Sequence, residues 1–170
     1  MKVYHILKIR KYFFTLLIIF NFSLCASGQQ FQLPYVESVK RAQAEGINIV
    51  QLDSMYRSAV NVVDSSLAVF KTKEMSDNLI GSYQKFLRGL GKYLHENHFE
   101  WGKETKCWNR IYFNADGRVD YYLFDFKTDV RDEKTERFKE LFKSYASRHK
   151  IDISAPVKFA QCGHVTFRDQ

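Results

Sequence analysis

The sequence predicts an α+β domain behind an export signal. Its sheet is three-stranded and antiparallel, in the order strand–turn–strand–helix–strand, with helices packed on one face and a helical N-terminal extension. Three observations carry this reading. Residues 13–24 form an apolar run between basic and small residues. The apolar period is helical over 83–94 and becomes alternating from Arg110. The pair Asp116-Gly117 lies between two β-rich runs, a strong hairpin signal.

The first twelve residues hold Lys2, Lys8, Arg10 and Lys11 and no acid, and Cys25-Ala26-Ser27-Gly28 follows the apolar run. Small side chains at Ala26 and Gly28 suit cleavage before Gln29, which makes 1–28 a signal peptide and the expected location exported and periplasmic. The run is short of the ~20 residues that cross hydrocarbon. Two alternatives are an uncleaved segment that tethers the chain to a membrane and acylation at Cys25; Leu24 counts against the second. Four of the 26 basic residues and none of the 19 acidic ones lie in 1–28. The remaining 142 residues therefore carry 22 against 19, a net of +3. No Lys/Arg stripe stands out, so no nucleic acid is expected as a partner, nor a membrane once the signal is removed. That length is one ordinary domain. It divides into a helical extension, 29–72, and an α+β part, 73–170, packed as one unit.

Along the chain, Pro34 is placed to open a helix over 35–45 that Gly46 ends. Leu52, Met55, Tyr56, Ala59 and Val60 share one face of a second helix, and 64–71 is a connection or short strand. A third helix runs over 73–97, with Tyr83, Phe86, Leu87, Leu90, Tyr93 and Leu94 as its apolar stripe. Gly89 and Gly91 weaken it by up to ~1 kcal/mol each, so they imply close approach by a neighbouring element. Strands at 110–114 and 118–126 flank the turn 115–117. The second places Val119, Tyr121 and Leu123 on one face and Tyr122, Phe124 and Phe126 on the other. It is apolar on both, hence covered on both or carrying a contact surface for an envelope partner.

Asp129 or Asp132 is expected to cap a helix with the stripe Phe138, Leu141, Phe142, Tyr145 and Ala146. The last strand, 157–167, sets Val157, Phe159, Val165 and Phe167 against Lys158, Cys162, His164 and Thr166, with a bulge at Gly163. A right-handed β-α-β connection returns this strand beside the first and leaves two open edges. Cys107 and Cys162 remain after processing. They are either a disulfide, worth ~4 kcal/mol on the chain-entropy account, or two free thiols.

About half of the chain, 82–167, resembles the TonB C-terminal domain and its periplasmic relatives. The matching pieces are YQKFLRGLGKYLHENHFEW, RIYFNADGRVDYYL, ERFKELFKSYA and the closing GHVTF. The resemblance implies the antiparallel sheet with packed helices. It also implies a use, the binding of an extended receptor peptide along the edge of the last strand. The chain departs from the family at Glu100-Trp101, has no Pro-rich spacer and carries a cleavable leader. The expectation is therefore a soluble relative and not an energy-transducing protein.

The expected function is thus an exported periplasmic module that captures an extended peptide or an envelope protein. Val157, Lys158, Phe159, Cys162, His164, Val165 and Phe167 are the candidate binding residues. No catalytic set and no cofactor are expected. The alternative is a small metal-dependent hydrolase in which His95, His98 and Glu100 hold a metal; the His spacing is one short of the zinc-peptidase motif. Cys162 and His164 share a strand face, but lack the third group that orients a nucleophilic pair.

Overall fold

A computed structural model describes residues 31–169. The expected signal, its expected cleavage site and Cys25 lie outside them. The elements in chain order are β1 (Tyr35–Ser38), α1 (Val39–Ala44), α2 (Ile49–Met55), β2 (Arg57–Ser58), α3 (Lys73–Glu96), β3 (Thr105–Phe113), β4 (Val119–Phe126), α4 (Asp132–Arg148) and β5 (Phe159–Phe167). The fold class is α+β. No described helix is long and apolar enough to cross a membrane.

The sheet has five strands and not three. Its order is β1-β4-β3-β5-β2. The three central strands are the expected antiparallel set, β4 and β5 flanking β3. The extension supplies both outer strands, each in parallel: β1 beside β4 and β2 beside β5. The sheet is therefore mixed.

Local chemistry accounts for the change. Pro34 does not open a helix; the start signal is Ser38, whose Oγ accepts from the Arg41 N–H at 3.3 Å. That leaves Tyr35–Ser38 extended, with Tyr35, Val36 and Glu37 all buried. Asn48 caps α2 through Oδ1, which accepts from the Gln51 N–H at 3.1 Å. The helix stops at Met55, and the backbone of Tyr56 is already extended. The stripe read over 52–60 is thus a short helix followed by a strand. At α4 the cap is Arg131, without a side-chain hydrogen bond; Asp132 and Glu133 occupy the first turn, where the helix dipole favours them. Asp129 does not cap it.

The predicted hairpin turn forms at Asp116-Gly117. Gly117 has φ +88°, and a Cβ there would lie 2.6 Å from the carbonyl oxygens of Ile151 and Ile153. The Gly117 carbonyl accepts from the Ile151 N–H at 3.0 Å. The turn therefore pins the α4–β5 connection as well as joining two strands.

One face of the sheet carries Cys107, Asn109, Ile111 and Phe113 of β3 in register with Phe126, Phe124 and Tyr122 of β4. It packs beneath α3 and α4. Phe138 sits at its centre, fully buried, with Phe99, Trp101, Tyr122, Phe124, Phe126, Phe142 and Phe167 around it. The face of Tyr122, Phe124 and Phe126 is core, which removes the contact surface considered for it. Gly89 does admit a neighbour: a Cβ would land on the Tyr145 hydroxyl, which donates to the Phe86 carbonyl at 3.0 Å.

The opposite face carries Tyr112 in register with Tyr121 and Ala160. Tyr56 packs edge-on to Tyr112 and Tyr121, ring centroids 5.1 and 6.1 Å apart. The Tyr112 hydroxyl donates to Asp53 of α2 at 2.9 Å. Helical segments thus cover part of the second face too, where a single helical layer was expected.

Candidate binding edge

β5 is where the expected site and the observed sheet meet. β2 covers its beginning only. The Arg57 N–H donates to the Lys158 carbonyl at 3.1 Å and the Ala59 N–H to that of Ala160 at 2.8 Å. The chain then pairs with residues 69–70 instead: the Val69 and Phe70 N–H groups donate to the carbonyls of Ser58 and Ala59, both at 3.0 Å. Backbone groups alternate along a strand. If Lys158 and Ala160 face outward to β2, then Cys162, His164 and Thr166 present their N–H and C=O groups to the outside. Among the described residues no strand meets them. The Gln161 side chain donates to the Cys162 carbonyl at 3.0 Å.

Natural edge strands are usually blunted by charge, proline, a bulge or shortness. β5 has none of these. Its nine residues, FAQCGHVTF, include no Lys, Arg, Asp, Glu or Pro. Its pairing with β3 runs unbroken from Phe113↔Phe159 to Thr105↔Phe167, so the bulge expected at Gly163 is absent. The uncovered stretch, 161–167, is about 20 Å long.

The predicted binding residues divide along this edge. Val157 and Lys158 precede the strand, and Lys158 is engaged with Asp120 at 3.1 Å. Phe159 is buried, stacked on Phe113 and beneath Phe70, so Lys158 and Phe159 lie in the part closed by β2, while Val157, exposed, lies ahead of it. Cys162 and His164 are exposed in the open part. Val165 is half-buried on the helix-covered face, and Phe167 is buried against Trp101 at 4.9 Å between ring centroids.

Across β5 on the second face, His164 lies opposite Trp108, Cys162 opposite Arg110 and Thr166 opposite Lys106. Arg110 is held by Asp53 at 2.7 Å. This half of the face is open. Trp108 lies ahead of the expected strand, 110–114, because β3 begins at Thr105; the alternation Lys106, Trp108, Arg110 is its signal in the sequence.

Cys107 and Cys162 are both free. Cys107 points to the helix-covered face and pairs in register with Val165, while Cys162 points to the other. Of the two alternatives, side chains on opposite faces of the sheet match the free thiols and not the disulfide. Burial pushes the Cys107 thiol up to about 12.

His95, His98 and Glu100 are exposed, and among the described residues no three His, Cys, Asp or Glu side chains converge as metal ligands. His98 has a backbone role. It sits at φ 55°, its N–H donates to the His95 carbonyl at 3.0 Å, and the next N–H, of Phe99, donates to Leu94 at 3.0 Å. This is a Schellman stop, with Phe99 and Leu94 as its apolar contact.

No family model matches this chain, and no curated protein or solved structure does.

Proposed function

We propose that this chain is an exported interaction module that captures an extended segment of an envelope protein by strand addition along Gln161–Phe167. One observation carries the reading: a long strand edge, free of charge, proline and bulge, is left open by the early end of β2. The outward N–H and C=O groups of Cys162, His164 and Thr166 would supply affinity. The side chains of Cys162 and His164, beside Trp108 and Arg110, would supply selectivity. The signal-like leader supports a periplasmic location. The resemblance of residues 82–167 to TonB C-terminal domains, which bind an extended peptide along the edge of the last strand, also supports this reading.

The test is a chemical-shift titration of the isotope-labelled chain with peptides from the N-terminal segments of outer-membrane receptors. Shifts centred on the amides of Cys162, His164 and Thr166 are expected. Shifts elsewhere, or none, would reject the edge as the site. His164→Pro sharpens the experiment, since it removes an outward N–H that β3 does not use. Proline is tolerated on the free side of an edge strand, so the variant is expected to fold normally and bind at least tenfold more weakly.

A further inference from the structure

Gly163 stands in the middle of the open edge, and nothing inside the fold requires glycine there. Its φ is not in the left-handed region. The β3–β5 register passes through it without a bulge. A Cβ built on it meets no atom within 4 Å. Dihedral, bulge and internal crowding are thus all removed as reasons. Glycine meanwhile weakens a strand, because it packs nothing and loses the most backbone freedom on folding. The remaining physical reason is close approach from outside.

The gap has a definite place. Gly163 is directly opposite Asn109 on the helix-covered face. The Tyr83 hydroxyl donates to Asn109 Oδ1 at 2.6 Å, so the Tyr83 ring stands over the neighbouring strand position. Gln161 and Val165, both half-buried, bound the gap along β5. Ile80 and Leu87 lie with Tyr83 on one face of α3, and Ile80 is 43% exposed. An aromatic ring laid over an edge glycine restores the packing that the glycine lacks.

Charge characterises the flanks. Arg57 is in register with Phe159, Lys71 follows Phe70 at the same end, and Lys106 is opposite Thr166 at the other. None of the three cations has an ion pair among the described residues, whereas nearby acids are engaged. Asp53 is bound to Arg110, Glu104 to Arg168, and Asp169 to the N–H groups of Trp101 and Gly102.

Resting on the strand-capture reading, we infer that the partner is an extended segment with acidic flanks and an aromatic residue that crosses Gly163. Gly163 is then a specificity-determining position. A second copy of this chain fits less well. Two-fold pairing about His164 would bring Val165, not a ring, across Gly163, and each copy would add its own cations.

The experiment uses two capped nonapeptides of threonine with glutamate at both ends, one with phenylalanine at its centre and one with glycine. Wild-type chain is expected to bind the phenylalanine peptide at least tenfold more tightly, by shift titration at Cys162, His164 and Thr166. Gly163→Val and Gly163→Thr are expected to keep or raise Tm, since β-branched residues favour strands. Both should lose at least tenfold in affinity for the phenylalanine peptide. Equal binding of the two peptides at the edge would overturn the inference and leave strand capture standing. So would a lowered Tm in both variants, or undiminished binding by them. A dimer broken by Gly163→Val would also overturn it, by making the occupant a second copy. If neither peptide moves those amides, strand capture falls and this inference with it.

Discussion

His98 is a residue whose sequence context and structural role point in different directions. Beside His95 and Glu100 it reads as a metal ligand, yet the backbone uses it as the left-handed stop of α3. A side chain at that φ costs ~1 kcal/mol, which glycine avoids. His98→Gly is therefore expected to stabilise the chain by about 0.5–1 kcal/mol, read as a higher urea midpoint; a loss of stability would show that the imidazole itself does work. The cysteines make a second prediction at this scale. At pH 8 a thiol reagent should modify Cys162 in folded 29–170 and reach Cys107 only on unfolding, because burial holds that thiol protonated. A non-reducing mass two hydrogens below the reduced value would contradict the opposed faces of the two side chains.

Among the elements, α3, α4 and the hairpin were legible, because a 3.6 period and an Asp-Gly turn are local signals that tertiary contacts reinforce. β1 and β2 were not. Four residues, Tyr35–Ser38, show no alternation when every one faces protein, and two residues, Arg57–Ser58, are too few for a period. Of the site, Cys162, His164 and Val165 were readable from alternation, while the covering of Phe159 depended on the strand that could not be read. The helix α4 ties these parts together. Phe138 joins both ends of its layer, so Phe138→Ala is expected to cost about 3–5 kcal/mol, measured by denaturant unfolding. On the same helix Lys139, buried, is hydrogen-bonded to Glu37 of β1 and to Glu136 at 2.9 Å. Lys139→Met alone would leave Glu37 buried and lacking that partner, a loss of about 3 kcal/mol. Combining it with Glu37→Gln should recover much of that loss. A double variant no better than the single would mean that β1 docks without the pair.

At the scale of the whole molecule, the second face is held by tyrosines set against carboxylates, and this fixes how the fold responds to alkali. The Tyr56 hydroxyl donates to Asp120 at 2.7 Å, that of Tyr112 to Asp53 and that of Tyr35 to Glu45 at 2.8 Å. Burial first, then in Tyr35 and Tyr56 the adjacent carboxylate, raises the proton affinity of these hydroxyls. In Tyr112 burial again leads, and nearby Arg110 opposes it in part. Burial likewise raises Tyr83 and Tyr122 on the helix-covered face. An unfolded tyrosine releases its proton near pH ~10. Above that pH the unfolded state binds fewer protons than the folded one, so stability falls as pH rises, by about 1.4 kcal/mol per unit for each such group. Below it both states are protonated and these groups contribute no slope. Urea midpoints should therefore be insensitive to tyrosine between pH 7 and about 9 and drop steeply above about 10, together with the phenolate absorbance. The loss should begin on the second face, because a phenolate there meets Asp53, Asp120 or Glu45. Loss of protection in β1 and α2 amides before those of β3 would mark that order. A midpoint unchanged up to about pH 11 would mean that the extension is not held to the sheet by these hydroxyls.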